Sequence, residues 1–193
     1  MIPDLRRSTD GGSESLGTVT VLSESVAFQL EELVSTITRL SEQEYTRRSS
    51  ERFFRASIGG HVRHILDHVT AFVKGVHSEI KYDARERGTA IEHDPNAAVM
   101  ATQLLCCQLR LLVSNLSDTG VSVEVVPCST LPPVMVQSTV ARELVFLVSH
   151  TVHHKATISM LMYDLGVVTP SQFGVAPATL QHLAHVHTQC HTS

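Results

Sequence analysis

Residues 57–68 read SIGGHVRHILDH: three histidines in an otherwise apolar, helix-like run that opens on a serine and two glycines. Ser57 is a good N-cap, because its hydroxyl can accept from the first unpaired backbone N–H groups, and the stretch predicts a helix over 58–77. Gly59 and Gly60 cost that helix some propensity but allow another backbone to come close. A helix turns by about 100° per residue, so His61, His64 and His68 share an arc of roughly 60°. A second cluster, LVSHTVHHKATI at 147–158, holds His150, His153 and His154 within an arc of roughly 100°.

The segments around these clusters are mostly helical in pattern. Residues 1–16 are polar and rich in Gly, Ser and Asp, and read as a flexible leader. Leu22, Val26, Leu30, Leu33, Val34, Ile37 and Leu40 recur at helical intervals and predict an amphipathic helix over 18–40. SEQEYTRRSSERFFRA (41–56) reads as a long connection, and the polar segment 77–94 reads as a surface crossover. Asp94-Pro95 is a cap followed by a favoured first-turn proline, and starts a helix predicted over 95–117. GVSVEVVP (120–127) and PVMVQST (133–139) are β-branched and short, and predict a small two-stranded excursion. The next helix should begin near Ser138 or Thr139 and stop at Leu165 before Gly166. It is apolar on more than one side, which predicts the most buried helix of the four. A short helix is expected over 177–186. Four long apolar-faced helices imply an all-α four-helix bundle over 17–181, with a His-rich tail at 182–193.

Composition bounds the partners. The chain has 193 residues, 42% hydrophobic and 18% charged, as expected of one globular domain. A net charge of −4 gives no case for a nucleic-acid partner, and the basic run TRRSSERFFR (46–55) has acidic neighbours. No uninterrupted apolar run matches a membrane span, and MIPDLRRSTDGGSES lacks a signal-peptide core, so no membrane partner and a cytoplasmic location are expected. The cysteines form no CxxC motif; Cys106 and Cys107 read as small buried hydrophobes.

Residues four apart on a helix lie one above the other, so His150/His154 and His64/His68 are each natural chelating pairs. A third imidazole from the facing helix would give three ligands and leave a position open for water. The candidate acid/base groups nearby are His68, Asp67 and Glu143. Each has a plain structural alternative: Asp67 can face solvent, and Glu143 can serve the positive helix N-terminus. His182, His185, His187, Cys190 and His191 in the tail match no established zinc spacing.

SIGGHVRHILDH, RELVFLVSHTVHHKATI (142–158) and FGVAPATL (173–180) together resemble the motifs of the DinB-like superfamily, over roughly residues 20–181. The resemblance implies His64, His150 and His154 as ligands of one divalent ion, commonly zinc or nickel. It implies an up-down-down-up bundle with a crossover, often homodimeric, and activities that include thiol S-transfer. His68 stands as a fourth ligand, an outer partner or a proton shuttle. His61 reads as a rim or packing residue, and His153 as one that orients its neighbours or faces another helix. Where the family motif usually carries Arg-Gly after the last histidine, this chain has Lys155-Ala156, which leaves the role of that arginine open. Two functions compete. One is a metal-dependent enzyme, a thiol transferase or hydrolase acting on a small molecule or thiol. The other is a non-catalytic dimeric bundle whose metal is structural or sensing.

Overall fold

A computed structural model describes residues 17–49, 56–84 and 87–190, with side chains to 186. The expected leader at 1–16, most of the basic run and the end of the His-rich tail lie outside the described residues. The fold is mostly helical and carries a small three-stranded sheet. Its elements are α1 (Thr18–Ile37), α2 (Glu42–Thr46), α3 (Ile58–Gly75), β1 (Glu79–Lys81), α4 (Ala90–His93), α5 (Pro95–Val113), β2 (Gly120–Val125), β3 (Val134–Thr139), α6 (Val140–Asp164) and α7 (Pro177–Cys190).

The helix starts follow their capping residues. The Ser57 hydroxyl accepts from Gly60 N at 3.0 Å and starts α3. Asp94 Oδ1 accepts from Asn96 N at 2.8 Å, with Pro95 in the first turn of α5. Thr139 Oγ1 accepts from Arg142 N at 3.3 Å and starts α6. These groups answer backbone donors that a helix leaves unpaired at its N-terminus.

The long helices bury their apolar stripes against one another: α1 packs on α5 and α6, and α3 packs on the same two. Leu30 and Leu33 of α1, Ile65 and Phe72 of α3, Leu109 of α5 and Leu144 and Leu147 of α6 are all fully buried. The expectation that α6 is the most buried helix is corrected. It buries nine of its 25 residues against nine of 18 in α3, because Val145, Met160 and Tyr163 face outward. By length and composition α5 could cross a membrane. In this fold its Ala98, Thr102, Leu105 and Leu109 are buried instead.

The two-stranded excursion is corrected to three strands, a small sheet on a mostly helical fold that stays consistent with the all-α class. β2 and β3 form the expected antiparallel pair, from Gly120 opposite Thr139 to Val125 opposite Val134. β1 comes from the presumed surface crossover and pairs parallel with β2, Ile80 opposite Val123. Ile80 is fully buried under the end of α3. Gly75 makes this possible: a Cβ there would stand 2.8 Å from the Ile80 Cα. Cys106 is buried as expected, but Cys107, one residue round the helix, is exposed.

Candidate metal centre

α3 and α6 lie side by side, and each offers its histidine stripe to the other. The His64 ring lies 4.9 Å from that of His150 and 4.5 Å from that of His154, with 4.5 Å between His150 and His154. One ring nitrogen from each can be chosen so that all three lie within 4.8 Å of one another. All three residues are half-buried. Three imidazoles converging in this way form a donor set suited to a divalent transition metal with open positions. Burial, then the neighbouring His61, His153 and His68, pushes the His154 ring down to about 4. It is therefore neutral at physiological pH, the form that binds metals.

His68 sits one turn beyond His64 and is 6% exposed. Its Nδ1 lies 2.9 Å from the His64 carbonyl oxygen. A carbonyl only accepts, so Nδ1 carries the proton and Nε2 carries the lone pair. The ring stacks on His150 at 4.0 Å and on Tyr82 at 5.3 Å. It also lines an open cavity of about 560 Å³ walled by β2, β3 and the first turns of α6. His68 thus touches both the triad and the cavity.

Glu143 lines the same cavity and is buried, with Tyr82 Oη donating to it at 2.8 Å and the Ser138 hydroxyl at 2.5 Å. Burial, then the adjacent Glu143 carboxylate, drives the Tyr82 phenol well above its ordinary range. Asp67 is held elsewhere. It accepts from Arg63, four residues back on α3, at 2.6 Å, and Arg63 also meets Glu92 at 3.1 Å. Asp67 also lines a different cavity, with Thr70, Lys74 and Thr89.

His61 is more than a rim residue. Its Nδ1 lies 2.9 Å from Nδ1 of His154. Burial and then the nearby His153 lower its pKa. His153 is exposed and meets His154 ring edge to face at 5.1 Å. Tyr82, Ser138 and Phe146 escaped the sequence reading. Phe146 had a signal, since it precedes His150 by one helical turn; Tyr82 had none, since its segment shows no period.

Lys155, where the motif carries arginine, is 1% exposed. Its ammonium donates to Gln29 Oε1 and Glu32 Oε2, both at 2.7 Å, and lies 4.9 Å from the centre of the Phe173 ring. It fastens α1 and the segment after α6 to the helix that carries the paired histidines. In the tail, His182 and His185 are exposed on α7.

These features define a mostly helical protein with a three-histidine group, suited to a divalent metal, set between two helices. The chain belongs to the DinB family, whose family model matches residues 16–181. It is also similar to FK506-binding protein 5 of Rhizopus delemar, at 30% identity over 109 residues, which is 54% of this chain and 27% of that protein. The similarity therefore spans about a quarter of that relative's length. No solved structure matches the chain.

Proposed function

We propose that this chain is a metal-dependent enzyme whose divalent ion, zinc or nickel, is held by His64, His150 and His154. The observation that carries the reading is the convergence of three imidazole nitrogens within 4.8 Å, next to a cavity of about 560 Å³ that shares His68 with them. Such an ion supplies Lewis acidity, which activates water or a thiol at neutral pH. The remaining roles fall to the chain itself. His68 offers its Nε2 lone pair as a proton acceptor, its ring orientation fixed by the carbonyl on Nδ1 and by stacking on Tyr82. Glu143, held by Tyr82 and Ser138, shapes the polar end of the cavity. Asp67 drops out of the acid/base set, because Arg63 claims it. Val123, Val136 and Phe146 form an apolar wall for the body of a small substrate. Thiol S-transfer and hydrolysis are the reaction classes that fit.

The same reading extends to the architecture and setting. The α1–α5–α3–α6 packing supports a four-helix bundle of up-down-down-up order. Met100, Leu104 and Leu111 are exposed along one side of α5 and support a homodimer. Among the described residues Cys106, Cys107 and Cys128 are free thiols, which supports a cytoplasmic location.

The test is elemental analysis of the purified protein beside His150→Ala and His154→Ala, followed by turnover of thiol and ester substrates. About one ion per chain in wild type, lost in both variants, is the expected outcome. Wild type without metal after metal-replete growth removes the triad. A metal-loaded protein inert to every thiol and ester favours the structural or sensing role instead.

A further inference from the structure

The contact between His61 and His154 does not belong to the triad, and it constrains the triad's chemistry. Two ring nitrogens 2.9 Å apart cannot both carry protons or both present lone pairs. One must donate and the other accept. If His154 accepted at Nδ1, its proton would sit on Nε2, and neither of its nitrogens would have a lone pair to spare. If His154 donates from Nδ1, the lone pair on Nε2 is left for the group it shares with His64 and His150. Ligand histidines in metal sites generally give their second N–H to a carboxylate, carbonyl or water, and that bond sets the tautomer. Here an imidazole stands in that place.

We propose that His61 is a positioning residue for the metal centre, accepting a hydrogen bond from Nδ1–H of His154 and so holding His154 in its ion-binding tautomer. The inference rests on the metal-site reading above. The surrounding structure supports it independently, because the place of His61 is firmly set. Its backbone N–H donates to Ser57 O at 3.2 Å in the first turn of α3. That turn is pressed against the neighbouring α4 at Gly59, where a Cβ would run into the Glu92 carbonyl and stand 2.7 Å from the Tyr45 ring. The Tyr45 hydroxyl in turn donates to Ile91 O at 2.8 Å. A ring so placed costs little further ordering when it accepts the bond. His61 makes its ring contact with His154 at 5.2 Å, longer than any centre-to-centre distance within the triad. Nor is it among the three residues whose ring nitrogens all lie within 4.8 Å of one another, so it acts on the ligand rather than as one.

The experiment uses wild type, His61→Ala, His61→Phe and His61→Gln, each with a melting curve to confirm folding. Imidazole nitrogen NMR on the metal-free protein reads the tautomer directly. Wild type should show His154 protonated at Nδ1, and His61→Phe should lose that preference while keeping the ring volume. Zinc titration should then show affinity lower by about 10- to 100-fold in His61→Ala and His61→Phe. His61→Gln, whose amide oxygen can accept, should recover most of it. Cobalt-loaded wild type and His61→Ala should give the same ligand-field spectrum, as expected if His61 is not a ligand. Nε2 protonation of His154 in wild type overturns the proposal whether or not metal binds. So does His61→Phe binding zinc as wild type does, or a changed coordination number in His61→Ala. A wild type that takes up no zinc, with His154 still protonated at Nδ1, overturns the metal site and the role of His61 in ion binding.

Discussion

Replacing Lys155 separates the effect of a buried charge from that of a packed stem. The side chain is 1% exposed, and its ammonium bridges Gln29 and Glu32 at 2.7 Å each. Lys155→Met keeps most of the stem and removes the charge. It strands the oxygen of Gln29, a residue only 5% exposed, at a cost of about 1–3 kcal/mol. The Glu32 carboxylate, 27% exposed, recovers water. Because the ammonium no longer has to be dehydrated, the net loss should be about 1–2 kcal/mol. Lys155→Ala removes three further methylenes from a closed site, at about 0.8 kcal/mol each. With the cavity left under Phe173, the total should reach about 3–5 kcal/mol. Urea unfolding of metal-free protein at neutral pH, followed by far-UV circular dichroism, gives both values if the slope against urea is unchanged. The reasoning fails if Lys155→Ala stays within about 0.5 kcal/mol of wild type, the scatter of ordinary surface substitutions. It also fails if Lys155→Met is as harmful as Lys155→Ala, since the stem would then contribute nothing.

Four further outcomes are expected. The His154 ring titrates at about 4 when folded, and near 6.5 when unfolded. The unfolded chain therefore binds more protons between these values. Metal-free stability should be full above about pH 6.5 and fall as pH drops towards 4, by about 2 kcal/mol rather than the roughly 3.4 kcal/mol of the whole shift because water screens the half-exposed ring, with His61 adding in the same direction. Stability that rises on acidification would contradict this. Gly59→Ala should destabilise by about 1–3 kcal/mol, because its Cβ meets the α4 backbone and the Tyr45 ring; a melting temperature equal to wild type would show that α4 yields freely. Glu143→Gln should cost about 1 kcal/mol, since the amide oxygen still accepts, whereas Glu143→Leu should cost about 2–3 kcal/mol by stranding the buried Tyr82 hydroxyl. Equal costs would remove the hydrogen-bond argument. Zinc at about 100 times its Kd should add about 2.7 kcal/mol of stability in wild type and little in His64→Ala, measured by thermal shift before and after a chelator.

The long helices and the two histidine stripes were legible in the sequence because both follow from spacing, while the choice of His64 with His150 and His154 came from the resemblance to the DinB-like motifs. Positions three, four and seven apart share a face whatever lies opposite. β1 was not legible. Only Ile80 of its three residues is buried, and its parallel partner begins at Gly120, beyond α5. The His61 contact also lay beyond the pattern, since it depends on how α3 and α6 are set against each other rather than on the period of either. Asp67 shows what spacing leaves open. It lies three residues past His64 and one before His68, yet its carboxylate goes to Arg63, four residues back on the same helix.

The triad and the cavity next to it are built from different parts of the chain. The three histidines stand on α3 and α6, inside the helical packing, where a changed crossing angle would separate them. Much of the cavity wall comes from the β2–β3 hairpin, and all six residues of β3 are at least partly exposed. A hairpin can change length, sequence or twist without disturbing a helical core. If the chain is the metal enzyme proposed above, what the cavity accepts can therefore drift quickly while the three histidines stay fixed, and hairpin exchange between relatives is the direct way to transplant one without the other.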